Sequence, residues 1–279
     1  MRPPAVGLSA RAPSGDQPPP PLPTFLIIGA QKGGTRWLRS NLAKHPDVFA
    51  LDSEASYFNS DRYHRGLSEY RRSFAGWDGE SAVGEATPGY MIWRHRPSEV
   101  ASRIASDLPG VKLFAILRNP VDRLYSAFIH HMRRKRIAID EGIVARAGKH
   151  PPEEDPQQLV AGGWYARSLA PYVELFGDRL KVFLNEDARA RPRELYREAL
   201  GHLGLDPTFA PNELEEVVFS RAAPPRSPYR GEQGGRRPLT SGERAALGAY
   251  YVDEIERLEG LLGRDLSVWK AEDVASEAV

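Results

Sequence analysis

Lys32 lies inside a small polar turn, Gly29-Ala30-Gln31-Lys32-Gly33-Gly34-Thr35. The turn joins an apolar run (Phe25, Leu26, Ile27, Ile28) to a helical pattern carrying Trp37, Leu38 and Leu42. A buried strand that ends in a glycine-rich turn and opens a helix is suited to holding an anion. The glycines let the backbone approach, free N–H groups point inward, and the helix dipole favours negative charge. Lys32 adds a mobile positive charge. A second group of the same character follows the apolar run Val111 to Leu117, which ends in Arg118-Asn119-Pro120. Pro120 suits the first turn of a helix, and Val121, Leu124, Tyr125 and Phe128 follow at helical spacing. Arg123 and Ser126 are three residues apart and so share a helical face, toward which Arg118 can reach back from the strand end.

The first loop departs from a nucleoside-triphosphate P-loop, which needs Gly, four residues, Gly, Lys and then Ser or Thr. Gly29 and Gly34 have the right separation, but Thr35 follows Gly34 directly and the lysine stands earlier, at Lys32. The partner strand of such an enzyme ends in an acid that helps hold magnesium. Here it ends in Arg118, which suits a second, metal-free phosphate on the ligand. A carboxylate, Glu54, stands between the apolar Val48 to Leu51 and the aromatic pair Tyr57-Phe58. It reads either as a solvated loop or helix-start acid, or as a base against a hydrophobic wall where its pKa can be tuned.

The elements that must position these residues alternate between strand and helix. Short strands are expected at Ser81 to Glu85 and Leu180 to Leu184, beside the two already described, and Val48 to Leu51 is a short apolar segment. Helices are expected over Asp61 to Phe74 (amphipathic and exposed), Pro97 to Leu108, Trp164 to Phe176, Pro192 to Leu203 and, as one long element, Thr240 to Leu262. Val111 to Leu117 is apolar enough for the interior of a parallel sheet. The pattern implies an α/β, P-loop-like, three-layer fold with a central parallel sheet flanked by helices. The helix after Pro120 is expected to run on through His130, His131 and the basic residues Arg133 to Arg136, read as a solvated helix end favourable to the dipole. Adjacent His130 and His131 point in different directions and have no suitably spaced carboxylate, so no metal site is expected there. Gly148 to Gln158 and Ser220 to Pro238 read as loops, and the length of the second suggests a functional or mobile segment.

A chain of 279 residues with 41% hydrophobic content can bury one sizeable core. The net charge of +1 argues against a general nucleic-acid coat or polybasic membrane binder but leaves room for a local basic cleft. The absence of cysteine excludes disulfides, thiolate metal sites and cysteine nucleophiles, and suits a reducing compartment. Residues 1–23 are rich in Pro, Gly, Ala and Ser and read as a disordered tail without a secretory h-region, and residues 271–279 as a C-terminal tail. No stretch approaches the ~18 apolar residues a membrane span needs. A cytoplasmic protein is the expectation.

The loop Gln31-Lys32-Gly33-Gly34-Thr35 taken together with Arg118-Asn119-Pro120, Arg123 and Ser126 resembles the sulfotransferases that use 3′-phosphoadenosine 5′-phosphosulfate (PAPS), most closely the heparan sulfate branch and its bacterial relatives. The likeness runs from about Phe25 to Trp269 and implies a sulfotransferase domain over residues 24–270. It implies that Lys32 contacts the transferred group, that Gln31, Gly33, Gly34, Thr35 and Arg36 complete the phosphosulfate loop, and that Arg118 and Ser126 bind the 3′-phosphate. Glu54 falls where these enzymes carry their catalytic base. Glu85, Thr87 and Pro88 match a strand-end motif, with Ala86 where the family has lysine. Gly234-Gly235-Arg236 resembles a late loop that closes over the donor, with Gly234 in place of a lysine, so Gly235 and Arg236 are carried over. Ser56 and Asn59 stand where the heparan enzymes often have His and Asp. The implied reaction is metal-free, in-line transfer of a sulfuryl group from PAPS to a hydroxyl or amine of a carbohydrate or small-molecule acceptor, releasing 3′,5′-ADP. A magnesium-dependent P-loop kinase or nucleotidase and a non-catalytic nucleotide- or polyanion-binding module are the rival classes.

Overall fold

The computed structural model describes residues 19–214, 223–232 and 235–270. Its strands are β1 (Phe25–Gly29), β2 (Val48–Ala50), β3 (Ala82–Ala86), β4 (Lys112–Leu117) and β5 (Leu180–Leu184). Its helices are α1 (Thr35–Leu42), α2 (Leu67–Arg72), α3 (Pro97–Asp107), α4 (Pro120–Arg133), α5 (Ile143–Ala147), α6 (Tyr165–Phe176), α7 (Asn185–Ala190), α8 (Pro192–Leu203), α9 (Ser241–Gly248) and α10 (Val252–Leu262). All the strand pairings are parallel, in the order β2-β3-β1-β4-β5. The three-layer α/β expectation is met.

β1 is buried along its whole length because it pairs on both sides, Phe25 opposite Gly84 of β3 and opposite Lys112 of β4. Its side chains alternate between two cores, as the period of a strand requires. Phe25 and Ile27 join Phe114, Ile116 and Phe183 under α1 and α8, whereas Leu26 and Ile28 join Leu113, Ala115 and Leu117 on the opposite face. Gly84 makes this possible, since a Cβ there would lie 2.5 Å from the Phe25 ring. From β1 the chain first builds the β2–β3 side of the sheet and then crosses to β4 and β5. The carboxyl ends of β1, β3 and β4 therefore surround the topological switch point, where open α/β sheets bind ligands.

Proline opens α3, α4 and α8, and Asn119 caps α4 by accepting from the Val121 and Asp122 amides at 2.9 and 3.3 Å. Three helix expectations need correction. Asp61 to Phe74 is not one exposed helix: Gly66, at φ 81°, breaks it into a 3₁₀ turn and α2, and Tyr70 and Phe74 are fully buried. Thr240 to Leu262 is two helices. The chain turns inward between them so that Tyr251, fully buried, can donate to the Val160 carbonyl at 3.0 Å. α4 stops at Arg133, short of Arg136, with Lys135 in the left-handed region at φ 56°. The short helices α5 and α7 carry too few residues for a period to register in the sequence.

Leu22 packs against the core. The N-terminal tail up to residue 18 and the tail over 271–279 lie outside the described residues, as does Gly234. No helix among the described residues is long and apolar enough to cross a membrane.

Candidate active site

The loop after β1 is held by backbone and side-chain bonds rather than by its own sequence alone. The Ala30 amide donates to the Ile116 carbonyl of β4 at 3.0 Å, and the Gly33 amide to the Ala30 carbonyl at 2.8 Å. Asn185, at the start of α7, donates from Nδ2 to the Gly33 carbonyl at 2.7 Å. Lys32 adopts a left-handed φ of 67° and Gly34 a φ of 124°. No side chain caps α1 and no acid occupies its first turn, so the positive end of the helix is not neutralised locally. Gly33 and Thr35 are buried, Gln31, Lys32 and Gly34 are half-buried, and Arg36 points to solvent.

Gly33 cannot be replaced without moving this loop. A Cβ there would sit 2.1 Å from the Ile116 carbonyl oxygen, a backbone atom of the central sheet. Gly33→Ala is expected to cost roughly 1–3 kcal/mol as an overpacked site, read as a fall in Tm. A melt unchanged by the substitution would contradict this packing.

The second cluster sits beside the first because β4 is the neighbour of β1. Arg118 leaves the end of β4 with 8% of its surface exposed, its own carbonyl accepting from the Tyr165 hydroxyl at 3.0 Å. Its guanidinium lies 3.9 Å from Asp122. Burial pulls the Arg118 pKa below its ordinary value; Asp122 and Glu186 oppose this, while the nearby charge of Arg236 adds to it. Arg236 reaches this place from the late loop. There Arg230 and Arg236 form an antiparallel bridge, the Gly235 carbonyl accepts from the Gly231 amide at 2.9 Å, and the Arg236 guanidinium lies 4.8 Å from the centre of the Tyr125 ring on α4. Tyr125 anchors the same loop by donating to the Arg237 carbonyl at 2.7 Å. Ser126, half-buried, is one helical turn beyond Asp122.

Two features of this cluster were not legible in the sequence. Arg244, on α9, bonds Asp122 at 2.9 Å and so joins Arg118 and Arg236 around a single acid, a meeting across 122 residues of chain. Arg123 does not join the cluster at all, which corrects the expectation that it shares an anion site with Ser126. It is fully buried, and its guanidinium donates to the carbonyls of Leu159 and, at 3.4 Å, Gln158. The helical face it lies on is covered by the 158–162 segment, where a Cβ on Gly162 would come within 2.5 Å of it. Arg123 is a cation that ties a loop to α4.

Glu54 follows β2 and is exposed. It is therefore not packed into a hydrophobic wall, yet its surroundings remove enough water to raise its carboxyl pKa above the ordinary 4.5, with the charge of Lys32 acting in the opposite direction. Lys32 and Glu54 thus share one electrostatic environment. Behind Glu54 stands Glu85, at the end of β3, with no exposed surface. Thr87, Tyr90 and Tyr70 donate hydroxyl hydrogens to it at 2.6, 2.7 and 3.3 Å.

The arrangement offers two cationic seats at the ends of adjacent parallel strands and one accessible carboxylate in the field of the lysine of the first. Residues 22–218 match the family model for the sulfotransferase domain. The chain is similar to heparan sulfate glucosamine 3-O-sulfotransferase 6 of Homo sapiens, with 41% identity over 235 residues, 79% of this chain and 62% of that protein. It is also similar to the bifunctional heparan sulfate N-deacetylase/N-sulfotransferase 3 of Mus musculus, with 27% identity over 91% of this chain and 32% of that one. The chain thus spans about a third of the length of that bifunctional relative. Among solved structures, the crystal structure of a sulfotransferase from Alicyclobacillus acidocaldarius superposes with a TM-score of 0.72 and 27% identity, covering 89% of this chain and 99% of that one.

Proposed function

The chain belongs to the sulfotransferase domain family, and from that premise we propose that it moves a sulfuryl group from PAPS to a hydroxyl or amine of a carbohydrate or small-molecule acceptor. The observation that carries this is the pair of cationic seats at the ends of β1 and β4, with Glu54 in the field of Lys32. A donor with a phosphosulfate at one end and a separate 3′-phosphate at the other matches two seats better than a single triphosphate does. The glycine cradle supports it too, since side chains at Gly33 and Gly34 would collide with Ile116 and Asn185.

The donor, when bound, supplies an activated sulfuryl group and departs as 3′,5′-ADP. Glu54 takes the proton of the acceptor hydroxyl as general base. Lys32 and the amides of the β1–α1 loop neutralise charge that develops on the sulfuryl and bridging oxygens. Arg118, Ser126 and Arg236 hold the 3′-phosphate and so fix the position of the reacting centre without touching it. The relatives are named for heparan sulfate; for this chain a carbohydrate or small-molecule acceptor is our proposal, and Ser56 and Asn59, standing where the heparan enzymes often have His and Asp, support an acceptor preference different from theirs.

Calorimetry followed by labelled sulfate transfer to an acceptor panel separates the rival classes. We expect binding of 3′,5′-ADP without magnesium, and transfer from PAPS. Tight ATP–magnesium binding without 3′,5′-ADP binding would indicate a kinase or nucleotidase. Binding of 3′,5′-ADP with no transfer to any acceptor would indicate a non-catalytic module.

A further inference from the structure

Three consecutive amides that follow Glu54 all end on one buried carboxylate, two of them through hydroxyl groups. The Ala55 amide points at Glu85 Oε2 at 3.5 Å, a long bond. The Ser56 amide donates to Thr87 Oγ1 at 3.1 Å, and Thr87 in turn donates to Glu85 Oε2 at 2.6 Å. The Tyr57 amide donates to the Tyr90 hydroxyl at 3.2 Å, and Tyr90 in turn donates to Glu85 Oε1 at 2.7 Å. Tyr70 supplies a further hydroxyl to Oε1 at 3.3 Å, and its ring stacks on that of Tyr57 at 4.4 Å.

The direction of each bond follows from the chemistry of the groups. Burial raises the Glu85 pKa, while the Thr87, Tyr90 and Tyr70 hydroxyls and the Ala55 amide, all turned toward its oxygens, favour the ionised form. An ionised carboxylate only accepts, and a hydroxyl has one hydrogen to give. Thr87 and Tyr90 give theirs to Glu85, so the lone pairs they turn outward can only receive an N–H. A neutral donor at Glu85 would allow either hydroxyl to reverse and face an amide hydrogen with its own hydrogen. The segment has a reason to need such fixing. Ser56 is held at φ 49°, a left-handed conformation that a non-glycine residue keeps only where its surroundings over-determine it. On the far side, the Ala55 carbonyl accepts from Arg62 at 2.6 Å, so the segment is gripped from both edges.

We propose that Glu85 is a positioning residue for the transfer step. By fixing the polarity of the Thr87 and Tyr90 hydroxyls it locks residues 55–57, and through them the direction in which Glu54 presents its carboxylate to the acceptor. The proposal rests on Glu54 being the general base. It assigns to the strand-end residues of β3 a function distinct from donor binding.

The test is a cycle of Glu85→Gln, Glu54→Gln and the double variant in the full chain, with two kinds of readout. The first is hydrogen exchange at the amides of Ala55, Ser56 and Tyr57. Glu85→Gln is expected to speed these about tenfold or more as the local opening becomes easier, leaving the Gly33 amide unchanged. The second is release of 3′,5′-ADP from PAPS, with desulfated heparan polysaccharide and with water as acceptors. Glu85→Gln is expected to lower kcat by about tenfold to a hundredfold, the range of a small misplacement of a reacting group. The affinity for 3′,5′-ADP should stay within about twofold, and in the Glu54→Gln background Glu85→Gln should add less than about twofold, since residues acting as a unit are not additive. Unchanged exchange at the three amides would overturn the proposal. So would a kcat loss of the same size in the Glu54→Gln background, or an equal loss of 3′,5′-ADP affinity. Near-native turnover in Glu54→Gln alone would instead remove the base. If Glu85→Gln does not fold, Thr87→Val removes the Ser56 anchor together with the hydroxyl that Glu85 accepts from, and leaves the Tyr90 arm in place; Thr87→Ser, which restores the hydroxyl, is expected to recover most of the lost kcat. Failure of that rescue would count against the proposal.

Discussion

Glu54→Gln is expected to lose about 10²–10⁴ in turnover, the usual contribution of a positioned general base, while 3′,5′-ADP binds as before. Glutamine keeps the size of the side chain but carries neither the charge nor a basic oxygen to take the proton. Donor affinity is spared because the cationic seats belong to β1–α1 and β4–α4, whereas Glu54 follows β2. The pH dependence has a definite sign. A base works only when ionised, and the water its surroundings displace raises the Glu54 pKa above 4.5 even though the residue is exposed. The rate should therefore rise with pH through that raised value, placing the acid limb above that of an ordinary carboxylate. Lys32 pulls the same pKa down, so Lys32→Met should move the acid limb to still higher pH as well as slowing transfer. A pH–rate profile of kcat/KM, which reports the groups of the free enzyme, checks both shifts. Near-normal turnover in Glu54→Gln, or an acid limb indifferent to Lys32, would mean that another group takes the proton.

Arg118→Ala is expected to act on the donor instead. Arg118 is almost fully buried beside Asp122 and near Arg236. A guanidinium in such a place recognises phosphate through paired, charge-assisted bonds. Removing one partner of a buried charged pair costs about 2–4 kcal/mol, or about 30- to 1,000-fold in affinity for 3′,5′-ADP. The loss should appear in the KM for PAPS and in calorimetry. Arg118→Lys should recover only part of it, since lysine keeps the charge but not the fork. The backbone at this position should hold, because Tyr165 bonds the Arg118 carbonyl and not its side chain. Native 3′,5′-ADP affinity in Arg118→Ala would place the second anion seat elsewhere.

Much of the architecture was legible because the relevant signals are local. Four strand-like runs with helical periods between them imply a parallel sheet, and a glycine-rich turn after the first run marks where an anion can sit; the three-residue β2 is a strand only through its pairing with β3. The helix errors share a cause. Gly66 and the Tyr250–Tyr251 pair interrupt their helices because Tyr70, Phe74 and Tyr251 have to reach the core, and what lies in the core is decided by distant residues. The error over Arg123 is of the same kind. Helical spacing correctly puts it on a face with Ser126, but spacing does not say what covers the face. The 158–162 segment covers Arg123, and its carbonyls take up the guanidinium.

What the amino-acid sequence determined by itself is the chemistry on offer: a lysine in a glycine loop, an arginine at a strand end where a magnesium enzyme has an acid, and a glutamate between an apolar run and an aromatic pair. Their residue types and nearest neighbours carry that information, since loop conformation, helix initiation and charge are short-range properties. Only the tertiary structure decided which of these groups meet. Pairing β1 with β4 sets the two cationic seats side by side. The same folding brings Arg236 and Arg244 to Asp122 from the C-terminal part of the chain and buries Arg123 away from them. It also closes Glu85 under the three amides that follow Glu54. Such meetings depend on the sheet order and on which faces are covered, and these are settled by the packing of the whole core rather than by any window of sequence.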